Sequence, residues 1–163
     1  MSAQLHLEMM AAAHARVYTL NPAFRAEPSH STRHLAEFWM LEAEMAFMDS
    51  LPQLLNLIES SIQQITSFIQ QQSPDDIQFC AAYIDKDLPA RLKTLQEPFA
   101  RLTYTEAIQI LSNVKRAWKH PVKWGLGLQS EHERYIAEEY TQRPTFVRLL
   151  YSSSLGHRLS NGH

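Results

Sequence analysis

Leu51, Leu54, Leu55, Ile58, Ile62, Ile65 and Ile69 recur at spacings of three and four, which puts them on one side of a helix. Asp49 or Ser50 supplies an N-cap and Pro52 falls in the first turn, where a missing N–H is harmless. This is the clearest helical signal in the chain. Ahead of it, residues 4–16 are rich in Leu, Met and Ala with neither Gly nor Pro, and they predict another helix. Residues 17–27 and 37–47 hold β-branched and aromatic side chains, and the stretch between them is filled with Pro, Ser, His and Thr. That pattern predicts an antiparallel hairpin with a long loop.

Beyond the long helix, Ser73-Pro74-Asp75-Asp76 opens a short helix to about Ile84, with proline at the first helical position and acids at the positive end of the dipole. A second runs from Leu88 to about Gln96, and Pro98 ends it. Residues 99–104 predict a short strand. Thr103 and Glu106 then form a capping box for a helix with Ile108, Leu111, Val114 and Trp118 on one face. Ser130 and Glu133 predict a second box, with a helix to about Tyr140 and a strand over residues 144–151. No internal repeat is visible, and residues 152–163 read as a polar, disordered tail. The predicted class is α+β with antiparallel strands.

Composition narrows the function classes. A length of 163 residues suits one domain, and 45% hydrophobic with 20% charged residues is globular. The formal net charge of −2 excludes the global basic field of a general nucleic-acid binder, so such binding would have to be local. Cys80 is the single cysteine, which rules out an internal disulfide and predicts a reducing compartment. No apolar run reaches the roughly 20 residues of a membrane-spanning helix. The N-terminus carries Glu8 and enters a helical pattern at once, unlike a secretory or transit segment.

The hairpin carries the candidate chemistry. Strand alternation gives Arg25 and Glu27 one face, and gives Phe38, Met40, Glu42 and Glu44 a common face on the return strand. If those faces coincide, a cation, two carboxylates and an aromatic plate share one surface. Burying such charges unpaired costs several kcal/mol per ion, so they pair with each other or meet a ligand. Two readings stay open on the pattern alone: a binding surface, or a solvated sheet face with cross-strand ion pairs worth roughly 0.2 to 1 kcal/mol each.

"FRAE" at residues 24–27, a loop, "TRHLAEF" at 32–38 and "WMLEAEMAF" at 39–47 closely resemble motif 2 of the class II aminoacyl-tRNA synthetases, in the form of the aspartate, asparagine and lysine subgroup. "QLHLE" at residues 4–8 resembles the segment preceding motif 2 in asparaginyl-tRNA synthetases, and "VKWGLGLQSEHERYIAEEY" at 122–140 a later stretch. "EFWMLEAEMAFMDSL" and "LTYTEAIQIL" are most similar to the mitochondrial branch. The resemblance runs from Gln4 to about Val147 and implies that residues 1–151 are part of a catalytic domain, a class II antiparallel sheet flanked by helices.

What the resemblance implies for the site is specific. Arg25 matches the arginine that binds the ATP α-phosphate and the amino-acid carboxylate, a task suited to a planar fork of five donors. Glu27 matches a contact on the adenine side of ATP, and Arg33 and His34 match contacts to the outer phosphates. Phe38 matches the aromatic that stacks under adenine, and Glu42 the carboxylate that holds the substrate α-ammonium. Gln4 and Glu8 match amino-acid-site positions. Where aspartate enzymes carry a lysine, "QLHLE" offers Leu7 and Glu8, and an acceptor there suits an amide and repels a carboxylate, so the implied substrate is asparagine. Read without the family, Glu8 is an ordinary exposed helical glutamate. ATP and Mg²⁺ are the implied cofactors, with the metal ligands expected outside this chain. The implied partners are ATP, asparagine, tRNA(Asn) and a second subunit, with no membrane; the implied location is the mitochondrial matrix, with cytoplasm as the alternative.

Other residues carry less. The eight histidines show neither HExxH nor a paired Cys-His spacing, so no zinc site is expected. Glu131 and Glu133 are explained by the first turn of a helix, and Trp118 and Trp124 as core or helix-edge aromatics. Arg116, Lys119, His120 and Lys123 form a small basic cluster that suits either RNA or water. The family pattern also has an anticodon-binding barrel and motif 1 before Gln4, and motif 3 with the acidic metal-ATP ligand after Val147. This chain reads RLLYSSSLGHRLSNGH at its end, Gly127 stands where an aspartate is common, and Pro28 and His30 alter the motif 2 loop. Two expectations follow: a fragment of an asparagine–tRNA ligase, inactive by itself, or a truncated non-catalytic paralogue that binds a nucleotide or a partner.

Overall fold

The computed structural model describes residues 3–26 and 34–148. They fall into two compact units, residues 1–54 and 55–163. In the first, helix α1 (Gln4–His14) leads into strand β1 (Arg16–Phe24), which pairs antiparallel with β2 (Glu37–Met45). Ala15 takes a φ of 60°, donates its N–H to Ala11 and accepts one from Ala46, so one left-handed residue both ends the helix and starts the ladder. The expected strands over 17–27 and 37–47 are thus present with shifted limits. The ladder continues one bond past β1, from the Arg25 N–H to the Ala36 carbonyl at 2.9 Å.

The two faces of this hairpin differ. Leu7 and Ala11 of α1 are buried, as is Ala23 of β1, and α1 lies against the face that carries Thr19, Asn21, Ala23, Phe38, Met40 and Glu42. The opposite face presents Tyr18, Leu20, Phe24, Trp39 and Leu41 to solvent.

The second unit is built from α2 (Leu51–Gln72), α3 (Pro74–Tyr83), α4 (Leu88–Thr94), β3 (Ala100–Thr103), α5 (Tyr104–Asn113), α6 (Ser130–Arg134), a π-helical continuation (Tyr135–Tyr140) and β4 (Thr145–Arg148). Its core gathers Ala107, Leu111 and Ile136, with Leu102, Trp118, Val122, Leu128 and Tyr135 packed around them. From α2, Glu59 accepts the Phe99 N–H at 3.1 Å and pairs with Arg101 at 3.0 Å, and Gln63 and Gln96 exchange amide–carbonyl bonds. Asn56, Glu59, Gln63 and the buried Thr66 lie on one stripe, so α2 is anchored by its polar side. Its apolar stripe of Ile58, Ile62, Ile65 and Ile69 stays one-third to one-half exposed.

Three expectations need correction here. Strands β3 and β4 pair in parallel, Ala100 with Thr145 through Thr103 with Arg148, rather than antiparallel. They are joined by two helices and a long loop, a connection long enough to bring the chain back in the same direction. Helix α5 ends at Asn113, so Val114 and Trp118 are not on it; Trp118 reaches the same core from the loop that follows. The box expected at Ser130 is one residue earlier: Gln129 caps α6 and His132 reaches back to the Gln129 N–H at 3.1 Å. The Thr103–Glu106 box is as expected, with both reciprocal bonds made. The tail expected over 152–163 lies outside the described residues.

Candidate functional site

The β1–β2 register opposes Thr19 to Glu42, Asn21 to Met40 and Ala23 to Phe38. Directly opposed residues share a face, and Arg25 continues the Thr19-Asn21-Ala23 alternation. Arg25 therefore stands on the Phe38 face, and its guanidinium carbon lies 5.5 Å from the centre of the Phe38 ring. A cation over an aromatic face at this exposure is worth about 0.5 to 1 kcal/mol. The structure thus brings together two of the residues expected to meet, at the open end of the hairpin.

Glu42 shares that face four residues along β2, about 13 Å from Phe38. Its Oε2 accepts the Ala3 N–H at 2.9 Å, so the start of α1 is tied to the middle of the sheet. Beside it lies a hollow of about 240 Å³, lined by Ala3, His6, Asn21, Pro22, Ala23, Met40 and Glu42. Asn21 is fixed there by a hydrogen bond from its amide to the Thr19 hydroxyl. Glu42 thereby sets a carboxylate, an acceptor and an anion, at the edge of the hollow.

Gln4 and Glu8 do not line this hollow. They are exposed on α1, one turn apart, with the Gln4 amide donating to Glu8 Oε1 at 3.1 Å. His34 is exposed just before β2. Glu27 and Arg33 lie outside the described residues. His6 and Asn21 were not among the residues expected at the site. Asn21 sits two positions before Ala23 on the alternation that carries Arg25, so its face was readable, whereas His6 depends on the angle at which α1 crosses the strands.

A family model described as tRNA synthetases class II (D, K and N) matches residues 1–151. The chain belongs to this family. It is 50% identical over 147 residues to the asparagine–tRNA ligase of Thermosynechococcus vestitus, a match covering 90% of this chain and 32% of that protein. It is 48% identical over 146 residues to the mitochondrial asparagine–tRNA ligase of Schizosaccharomyces pombe, covering 90% and 30%. Among solved structures it resembles asparaginyl-tRNA synthetase from Pyrococcus horikoshii complexed with asparaginyl-adenylate, with a TM-score of 0.73 and 36% identity over 90% of this chain and 31% of that one. The synthetase fold and the helix-flanked antiparallel hairpin agree with what the sequence implied. The chain spans about a third of the length of the curated relatives it matches.

Proposed function

We propose that these residues form the motif 2 part of an asparagine–tRNA ligase, which joins asparagine to ATP as asparaginyl-adenylate and passes the asparaginyl group to tRNA(Asn). The observation that carries this reading is the shared face of Arg25, Phe38 and Glu42, with cation and ring in contact at one end and a carboxylate beside a hollow at the other. Adenine would stack on Phe38, which requires Arg25 to leave the ring face it covers. The guanidinium then meets the α-phosphate and the substrate carboxylate, where it offsets the charge that develops as the carboxylate attacks phosphorus and pyrophosphate leaves. Glu42 would hold the α-ammonium in the hollow. Arg33 and His34 would take the outer phosphates and Glu27 the adenine edge. No protein nucleophile is needed, and the rate comes from positioning and electrostatics.

The choice of asparagine rests on Glu8. In this chain a primary amide, that of Gln4, already donates to its carboxylate, and the asparagine side chain offers the same donor. Among the described residues no group of three or more His, Cys, Asp or Glu side chains could hold a metal ion. These residues therefore offer no ligand set for the Mg²⁺ expected from the family. A second subunit and tRNA(Asn) belong to the same reading, as does a mitochondrial matrix location, which the identity to the Schizosaccharomyces pombe mitochondrial ligase supports. No described helix is long and apolar enough to cross a membrane.

Pyrophosphate exchange on a polypeptide that extends this chain to the length of its relatives tests the proposal. Asparagine should drive exchange and aspartate should not. Exchange with aspartate alone removes the reading of Glu8, and exchange with neither amino acid leaves the non-catalytic paralogue.

A further inference from the structure

The irregular segment after α5 concentrates cations in a chain of net negative charge. Between Glu106 and Glu131 there is no acidic residue, while Lys115, Arg116, Lys119 and Lys123 all fall in this interval. The four are not equivalent. Arg116 is committed to the fold: it pairs with Glu139 at 2.7 Å and lies over the rings of Trp118 and Tyr135. Lys115, Lys119 and Lys123 are exposed, and among the described residues no carboxylate pairs with their ammonium groups.

The segment is also held in place despite having no helix or strand. Glu131 accepts the backbone N–H groups of Lys119 and His120 at 3.1 and 2.7 Å and His120 Nδ1 at 3.1 Å. The buried His132 accepts from Gln129 N through Nδ1 and donates from Nε2 to the His120 carbonyl at 3.2 Å. At the far end, the Tyr104 hydroxyl donates to the Leu126 carbonyl at 2.5 Å and accepts the Gly125 N–H at 2.9 Å. Because Lys115 follows the last turn of α5 while Trp124 sits by Thr105 in its first turn, the segment runs back along a helix of about 15 Å.

Trp124 is the feature that a solvated basic face does not explain. Its indole N–H is bonded to Thr105 Oγ1 at 3.3 Å and its ring meets Tyr104 edge-on at 6.0 Å, yet the residue is 62% exposed. A large aromatic held at a fixed angle with most of its surface uncovered, beside a row of unpaired lysines, has the make-up of a stacking platform on a phosphate-binding track. Preorganisation matters because the ordering cost of binding is already met by the fold.

We propose that residues 114–129 form a docking surface for single-stranded RNA, with phosphates on Lys115, Lys119 and Lys123 and one base stacked on Trp124. This deepens the ligase reading by giving the unpaired end of an RNA a foothold of its own on the second unit. It needs neither ATP nor asparagine, so it stands or falls separately from adenylate formation.

Fluorescence anisotropy of a labelled oligouridylate titrated with the 163-residue chain tests it. Three phosphate contacts to a single strand give a log–log salt slope of about −2, which weakens binding about twenty-fold between about 50 and 200 mM salt. Each Lys→Gln change at 115, 119 or 123 should flatten the slope by about 0.7. Trp124→Ala should weaken binding about fivefold or more at constant slope, and Trp124→Phe should restore part of it. Circular dichroism and the Tm of each variant separate lost contacts from lost fold. The proposal is overturned by undetectable binding at 50 mM salt, by a slope that ignores all three lysines, or by equal affinity of a folded Trp124→Ala protein.

Discussion

At the scale of single residues, Arg25 and Glu131 make opposite demands on charge. Arg25 is exposed and lies over the Phe38 ring, and its fork geometry is what the proposed chemistry uses. Arg25→Lys keeps the charge but loses the paired donors. In a full-length ligase it should lower asparagine-dependent pyrophosphate exchange about 100- to 1,000-fold, the usual cost of one lost transition-state donor. Glu8→Ala should act differently, raising the KM for asparagine about tenfold or more by removing a charge-assisted amide contact. Glu131 is a structural carboxylate. Partial burial alone would raise its pKa, but hydrogen bonds from the backbones of Lys119 and His120 and from the His120 ring outweigh that and hold it below the usual glutamate range. A carboxyl whose pKa is lowered by folding contributes stability above its unfolded pKa of about 4.3, and that contribution is lost as pH falls through the folded value. Urea unfolding of wild type and Glu131→Gln should therefore show their widest gap at pH 7 and a narrowing gap below about pH 4. A gap that stays constant with pH would mean that the charge of Glu131 is irrelevant to the loop it ties.

At the scale of elements, the Thr103–Glu106 box is the most sequence-determined feature of the second unit. Both reciprocal bonds are made, and the bonds from Thr103 hold the Glu106 carboxyl below its ordinary pKa. Thr103→Ala should cost about 1 kcal/mol, read as a drop in the urea midpoint. Gly125 has a φ of +93° at the turn beside Trp124 and nothing near the position of a Cβ, so Gly125→Ala fails through backbone strain and not through a clash. That change should destabilise the unit by about 1 kcal/mol or more and release Trp124 from Tyr104, visible as a shift in indole fluorescence. Such elements also mark how far the sequence could be read. Alternation sorted each strand's residues by face but left open whether Arg25 and Phe38 share one, which the register decides, and the apolar spacing found α2 to the residue at its start. The spacing did not reveal that Asn56, Glu59 and Gln63 would be the anchoring side of α2, because that depends on which carbonyls and amides the distant β3 junction leaves to be bonded. The shifted cap at Gln129 and the burial of His132 were hidden for a similar reason. A glutamine and a histidine replace the usual Ser and Glu of a capping box, and Trp118, which packs edge-on against the buried His132, comes from a loop distant in sequence.

At the scale of the whole molecule, two apolar surfaces set the behaviour of the isolated chain. On the outer face of the hairpin, Tyr18, Leu20, Phe24, Trp39 and Leu41 are each more than half exposed. With aromatic side chains of about 150 to 250 Å² apiece, this face alone amounts to roughly 500 Å², the upper range for one patch on a soluble monomer. On α2 the partly exposed side chains of Ile58, Ile62, Ile65 and Ile69 add a second surface. Among the described residues the hairpin is also a two-stranded sheet with no third strand on either edge, a template for pairing with another chain. The 163-residue chain by itself should therefore self-associate at micromolar concentration and bind a hydrophobic dye, while binding ATP weakly, since Phe38 offers adenine one face and a single charge-assisted contact of about 1.5 to 3 kcal/mol does not offset the cost of immobilising the nucleotide. Replacing Leu20 and Trp39 with lysine removes the centre of the outer face without touching Arg25, Phe38 or Glu42, which point the other way. Sedimentation velocity should show the double variant shifted toward monomer and its dye signal reduced. A wild-type chain that sediments as a monomer and takes up ATP at micromolar affinity would show instead that the hairpin faces are satisfied within these 163 residues and that the site is complete without the rest of a ligase.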